Sequence, residues 1–222
     1  MGKMIELKAK DGHRFGAYRA QPAAAARGGL VVIQEIFGVN QHMRGLCDGF
    51  AADGYVAVAP ALFDRVERGV DIGYSADEIA RGRALRGKMN WEQVMADVAA
   101  AIAEARLAGR VGIVGYCYGG GVAWVAGCRL KGLTAAVGYY GGPWTETAQE
   151  KPQCPTLLHF AAKDGMIPVS LADTMGAAHP TIATHVYDAD HGFNCDQRGS
   201  YDAFSATLAR RRTLAFFGAI LG

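Results

Sequence analysis

Apolar and polar positions alternate over residues 5–8 and again over 15–19, with the turn signal Asp11-Gly12 between them. The chain is therefore predicted to open with an antiparallel hairpin. Beyond it the pattern changes. Residues 30–33, 56–59 and 111–114 are short, wholly apolar runs, which read as strands buried on both faces of a parallel sheet. Helical spacing covers 43–52, closed by Asp53-Gly54, and then 75–88 and 91–108, with a polar stretch at 65–73 before them. Ser75 and Glu78 have the spacing of a capping box. A small-residue helix is predicted at 119–130, further strands at 135–139, 156–160 and 184–187, and helices at 169–178 and 201–217.

Strands alternating with helices over most of the length predict an α/β fold with a mostly parallel central sheet, helices on both faces and the antiparallel hairpin at its start. A chain of 222 residues, half of them hydrophobic, suits a single domain spanning 1–222. Charge narrows the function classes. The net charge is +2, and Arg210, Arg211 and Arg212 fit one turn of a solvated helix, so nucleic-acid binding is not expected. No apolar run reaches the roughly 18 residues of a membrane span, and residues 1–12 lack the apolar core of a signal peptide. Five cysteines, odd in number and without CxxC spacing, point away from a disulfide framework or zinc site and toward a reducing cytoplasm.

In such a sheet the chemistry lies just beyond the carboxyl ends of the strands. The run at 111–114 is followed by Gly115-Tyr116-Cys117-Tyr118-Gly119 and then Gly120-Gly121. This is the G-x-S-x-G nucleophile elbow with cysteine at its centre. The chain must turn from strand to helix within about two residues, and the flanking glycines leave room for that turn. The helix start aims positive dipole ends at the sulfur and favours its thiolate. No GK[ST] follows, which excludes a P-loop, and bulky Tyr116 and Tyr118 sit where a dinucleotide fingerprint needs close phosphate approach.

A nucleophile of this kind expects an acid and then a histidine later in the chain. Asp164, in Ala161-Ala162-Lys163-Asp164-Gly165, follows the strand 156–160, and His191, in Asp190-His191-Gly192-Phe193, follows 184–187. His191 would take and return the proton, and Asp164 would hold the imidazole tautomer. Taken singly, Asp-Gly is also an ordinary turn and the histidine could be a plain loop residue. Asp188 and Asp190 are rival acids but lie too near His191 in sequence. His159 falls in an apolar strand and reads as a satisfied core histidine, whereas His13, His42, His179 and His185 fall in turns or on surface faces.

After the strand at 30–33 comes Gln34-Glu35-Ile36-Phe37-Gly38. The corresponding loop of ester hydrolases supplies one oxyanion-hole amide, and the residue after the nucleophile supplies the other. Those amides would belong to Ile36 and Tyr118. Glu35 is the odd residue here, since a carboxylate where an oxyanion develops is unfavourable, and a solvated loop acid is the simplest reading. Among the aromatic residues, Phe37, Trp144 and Phe193 are the candidates for a substrate pocket wall, with core packing as the alternative for each.

These segments together resemble the dienelactone hydrolase family (carboxymethylenebutenolidases). The likeness includes DGHRFGAY near the start, QEIFGVNQHMR at 34–44, GYVAVAP at 54–60, VGIVGYCYGG at 111–120, AVGYYG at 136–141 and HGF at 191–193. The resemblance implies an α/β-hydrolase fold, a Cys117–Asp164–His191 triad, and a role for Glu35 in bonding the resting thiol and taking its proton once substrate arrives. It further implies a monomer that needs no metal or cofactor and cleaves a small ester or enol-lactone in the breakdown of chloroaromatic compounds, where the family's product is maleylacetate. One departure stands out. The family holds the substrate carboxylate with two arginines; four residues after His191 this chain has Cys195, and the other expected position is occupied by Ile79, with Arg81 and Arg83 nearby. Arg81 is the substrate-binding candidate on that side, and Arg198 could reach the site from further along the His191 loop. Two other classes stay open at this point: a ligand-binding or sensor protein that has lost turnover, and a redox protein using Cys117.

Overall fold

The computed structural model describes residues 2–222 and divides into two compact units, one running to Gly112 and the other covering Ile113–Gly222. The first unit contains β1 (Lys3–Lys8), β2 (Arg14–Ala20), β3 (Gly28–Ile33), α1 (Gln41–Ala52), β4 (Tyr55–Pro60), α2 (Ala76–Gly87) and α3 (Trp91–Ala105). Its strands lie in the order β1-β2-β4-β3. The expected hairpin is present, with Lys3 opposite Arg19 and Lys8 opposite Arg14. β2 then pairs antiparallel with β4, and β3 pairs parallel with β4, Gly28 facing Tyr55. Every residue of β3 and β4 is buried, as their continuous apolar runs require. α1 packs on β4 and α3 on β3 and β4.

The start of α2 carries the predicted capping chemistry. Ser75 accepts the Glu78 amide while the Glu78 carboxylate returns to the Ser75 N–H, a complete capping box. Asn40 caps α1 by accepting the Met43 amide at 3.2 Å. The polar stretch at 65–73 begins with a residue of structural weight. Arg65, at the end of a short 3-10 turn (Leu62–Arg65), meets buried Asp97 at 2.6 Å and Asp11 at 2.6 Å.

The second unit is built from β5 (Val111–Tyr116), whose first residues straddle the division, then α4 (Tyr118–Arg129), β6 (Ala135–Tyr139), the single-turn α5 (Trp144–Thr147), β7 (Thr156–Ala161), α6 (Ser170–Ala178), β8 (Ile182–Tyr187) and α7 (Ala203–Leu221). The strands run β5-β6-β7-β8, and β6–β7 and β7–β8 are parallel. β5, β6 and β7 are wholly buried, whereas β8, last in the order, is half exposed. α4 and α7 pack on β6, and α6 on β8.

Some boundaries differ from the sequence reading. β8 starts at Ile182 rather than 184, and α7 runs from Ala203 to Leu221 rather than 201–217. The start of α7 is set by Asp202, whose carboxylate accepts the Ser205 amide at 2.7 Å. His42 and His179, expected on surface faces, are buried. His179 places its Nε2 at 2.7 Å from the Ala148 carbonyl and its ring against Trp124, and these contacts compensate its burial. Among the described residues, no helix is long and apolar enough to cross a membrane.

Candidate active site

The second unit brings Cys117, Asp164 and His191 together, each just beyond the carboxyl end of a strand. Cys117 sits between β5 and α4 with φ 54° and ψ −118°, a conformation that side-chain-bearing residues rarely adopt. Its neighbours make that turn possible. A Cβ on Gly115 would lie 1.9 Å from the Gly119 carbonyl oxygen, and one on Gly120 would lie 2.5 Å from the Tyr139 oxygen. The Cys117 amide is tied down by donating to the Tyr139 carbonyl at 3.1 Å. Tyr118 is the first residue of α4, so its N–H belongs to the turn whose amides point out of the helix's N-terminal end.

Asp164 follows β7. Its Oδ1 accepts the amides of Met166 at 2.9 Å and Ile167 at 3.2 Å, which leaves Oδ2 aimed at His191 Nδ1, 2.7 Å away. His191 follows β8, and its own amide donates to the Asp190 carboxylate at 2.6 Å. The imidazole Nε2 lies 3.1 Å from Cys117 Sγ. The two loops are stitched to each other by the Ala162 amide on the Tyr187 carbonyl at 2.8 Å and the Lys163 amide on the Ala189 carbonyl at 2.9 Å. Asp188 and Asp190, the rival acids, do other work: Asp188 pairs with Lys163 and Asp190 caps the His191 turn.

Burial shapes the electrostatics. The Asp164 side chain is 1% exposed and that of His191 8%. Desolvation works against charge on both. For His191 it is outweighed by a negative Cys117 sulfur and by the Asp164 carboxylate, and the imidazole is raised to about 10. For Asp164, desolvation is likewise outweighed, by the His191 hydrogen bond and charge and by the two loop amides, and the carboxyl is held below the ordinary range. The remaining cysteines differ from Cys117. Cys47, Cys128, Cys154 and Cys195 are buried, and burial pushes Cys128 up to about 12 and Cys154 up to about 11. Cys117 is the half-buried member of the set.

The other predicted residues fall as follows. Trp144 is fully buried, donating its indole N–H to the Gly120 carbonyl at 3.1 Å and packing on Phe160. Phe193 is also fully buried, against Tyr140 and Tyr187. Both rings support the elbow and the His191 loop from within. Arg198 is half-buried beside that loop, and a Cβ on Gly192 would lie 2.4 Å from its Nη1. In the first unit, Glu35 is buried at 1% exposure directly after β3, so it is not a solvated loop acid. Ile36 is half-buried, and Phe37 is buried against Tyr74 with ring centroids 4.5 Å apart. Arg81 is exposed on α2 and paired with Glu67. His159 is the satisfied core histidine expected, between the Tyr187 hydroxyl at 2.8 Å and Thr213 Oγ1 at 3.0 Å. Tyr140, one of several aromatic residues that could line a pocket or the core, has its ring 5.1 Å from that of His191, a contact the sequence does not announce.

Chemically, this arrangement offers a sulfur nucleophile, a proton carrier and an orienting carboxylate in one hydrogen-bonded line. The model of the dienelactone hydrolase family matches residues 15–221. The carboxymethylenebutenolidase of Pseudomonas putida is 34% identical over 96% of this chain and 94% of its own length. That of Pseudomonas sp. strain P51 is 31% identical over 95% and 92%. Among solved structures, a Klebsiella pneumoniae protein assigned as a dienelactone hydrolase superposes with a TM-score of 0.83 at 32% identity, covering 97% of this chain and 99% of that one.

Proposed function

The chain belongs to the dienelactone hydrolase family, with its α/β-hydrolase fold and its action on ester or lactone bonds, and we propose that it cleaves them through a covalent acyl-enzyme on Cys117. The observation that carries this reading is the position of His191, bridging Cys117 Sγ at 3.1 Å and Asp164 Oδ2 at 2.7 Å. One family model spans both compact units, which supports reading them as one catalytic domain.

The thiolate of Cys117 attacks the acyl carbon, and the carbonyl π pair moves onto oxygen. The Tyr118 amide at the start of α4 is the oxyanion donor offered by the second unit. Collapse of that intermediate breaks the C–O bond, and His191 gives its proton to the departing alkoxide or enolate. Acylation also changes the base. A negative Cys117 sulfur is the largest influence raising His191, and once the sulfur is acylated that charge is gone. His191 then returns toward the ordinary histidine range, where it can take a proton from the attacking water. Water oxygen bonds to the acyl carbon, the C–S bond breaks, and the carboxylic acid leaves with thiolate and imidazolium restored. The proton carrier is thus an acid in the first half and a base in the second.

The family resemblance assigns Glu35 as a proton acceptor and the Ile36 amide as a second oxyanion donor; both follow β3 in the first unit, and their roles rest on that resemblance. For the substrate, an enol-lactone carrying a carboxylate is the proposed class. Arg198, next to the His191 loop, is the cation proposed to meet that carboxylate where Cys195 replaces the expected arginine. Work as a cofactor-free monomer in a reducing cytoplasm completes the proposal, the last supported by an odd cysteine count without CxxC spacing.

Hydrolysis of cis- and trans-dienelactone beside a neutral aryl ester, by the wild type and by Cys117→Ala, tests the reading. Turnover of the lactones that disappears in Cys117→Ala supports both nucleophile and substrate class. A wild type that turns over the neutral ester but not the lactones, with that turnover lost in Cys117→Ala, keeps the nucleophile and discards the lactone, and turnover surviving in Cys117→Ala removes the covalent mechanism.

A further inference from the structure

Tyr140 departs from the geometry of the strand that leads to it. It follows β6 directly with φ 36°, one of two non-glycine residues with positive φ among those described, the other being Cys117 itself. Consecutive side chains of a strand point to opposite faces of the sheet. Yet the rings of Tyr139 and Tyr140 both reach Phe193, with centroids at 6.2 and 5.2 Å, and lie 6.1 Å from each other. The left-handed step is what turns the second ring to the side of the first. Its destination is the catalytic base, since the Tyr140 ring stands 5.1 Å from the His191 imidazole at an interplanar angle of 61°.

The backbone around this step is pinned from two directions. The Tyr140 amide donates to the His159 carbonyl of β7 at 2.8 Å, and the Tyr139 carbonyl accepts the Cys117 amide at 3.1 Å. One peptide segment therefore fixes the nucleophile through its main chain and faces the base with a ring. Tyr140 is fully buried, so the ring cannot swing away into solvent. A strained backbone persists only where its surroundings over-determine it, and such residues gather at functional sites.

We propose that Tyr140 is a positioning residue for the reaction: its ring, delivered by the left-handed backbone, holds the His191 imidazole in the plane that directs Nδ1 at Asp164 and Nε2 at Cys117. The proposal rests on the triad reading above. The torsion that rotates an imidazole about its Cβ–Cγ bond is broad and soft. Asp164 holds one edge of the ring, and an edge-to-face neighbour restricts the remaining rotation. The hydroxyl is not needed for this role, which separates it from any proton-transfer function of a tyrosine.

The experiment compares Tyr140→Phe, Tyr140→Gly and Cys117→Ala with the wild type. Ester turnover is measured for each, the pH dependence of Cys117 alkylation by iodoacetamide is measured for the proteins that keep Cys117, and thermal unfolding checks the fold. Tyr140→Gly removes the ring and suits the positive φ. The expected result is wild-type behaviour for Tyr140→Phe. For Tyr140→Gly, kcat should fall about tenfold or more with KM within about twofold, as for a misaligned catalytic group, and the alkylation profile should shift in pH. A folded Tyr140→Gly with unchanged kcat and profile overturns the proposal, as does a Tyr140→Phe that is equally impaired. If Tyr140→Gly does not fold, Tyr140→Leu, which keeps bulk without a ring plane, is held to the same two results. Turnover surviving in Cys117→Ala marks a failure of the triad reading instead, and the alkylation profiles still report whether the ring orients His191 against the sulfur.

Discussion

Asp164 Oδ2 lies 2.7 Å from His191 Nδ1, and the Asp164 side chain is almost wholly shielded from water. The carboxylate therefore specifies which imidazole nitrogen carries the proton when the ring is neutral, leaving Nε2 to face the sulfur. In Asp164→Asn the amide can present its NH2 to Nδ1 and favour the opposite tautomer. Turnover is expected to fall by a factor on the order of ten thousand, with melting temperature little changed. Steady-state kinetics and thermal unfolding of the variant check this.

The rise of His191 to about 10 sets the alkaline behaviour. Departure of the first leaving group needs imidazolium, so kcat/KM is expected to hold through neutral pH and decline as pH passes about 10. Removing the acyl group needs neutral imidazole with no thiolate beside it, so the deacylation rate is expected to decline on the acid side, at a pH well below the one that limits acylation. Pre-steady-state measurement of the two halves across pH separates them. A single shared pKa for both would contradict the change of role.

The grouping of Cys117, Asp164 and His191 was legible in the sequence because each lies in the loop that follows a strand. Cys117, Asp164 and His191 could be picked out because each comes directly after a short apolar run and the three occur in the right order. Apolar character could not separate pocket from core, which is why Trp144 and Phe193 were candidates for a pocket wall although both are wholly buried. The histidines show the same limit: His179 is polar in sequence but buried, compensated by a carbonyl 31 positions away that local pattern cannot see. Tyr140 could be read only as one more aromatic residue, because nothing at that position resembles the glycine or asparagine that normally announces its positive φ.

His159 governs stability in acid. Burial, followed by the nearby His185 and Arg212, pushes it well below the ordinary histidine range, and it is enclosed by Tyr187 of β8, Thr213 of α7 and Tyr139 of β6. The unfolded chain protonates this residue near pH 6.5, while the folded chain does not. Its contribution is thus present above that pH and lost as pH falls below it, at about 1.4 kcal/mol per pH unit. His185 is shifted the same way. His191, shifted upward, adds nothing to this acid slope and loses its contribution as pH rises from about 6.5 toward 10. Urea unfolding between pH 7 and 5 is expected to show a steep fall in stability that is shallower in His159→Gln.

The same substitution should have opposite signs at two glycines. In Gly115→Ala the new methyl would meet the Gly119 carbonyl oxygen at 1.9 Å, a backbone atom inside the turn that presents Cys117. The backbone must shift, at a cost of about 3 kcal/mol and a melting temperature lower by roughly 6–12 °C for a chain of this size. Turnover should fall as well, because the displaced atoms carry Cys117, the proposed nucleophile. In Gly176→Ala, inside α6, the nearest atom is Thr184 Oγ1 at 3.9 Å, an ordinary contact, and φ there is not in the left-handed region. Alanine loses less backbone freedom on folding than glycine, so this variant should gain about 0.5–1 kcal/mol and keep wild-type turnover. Parallel thermal melts and kinetics of the two variants decide whether the close approach at the elbow, rather than glycine content as such, is what the fold requires.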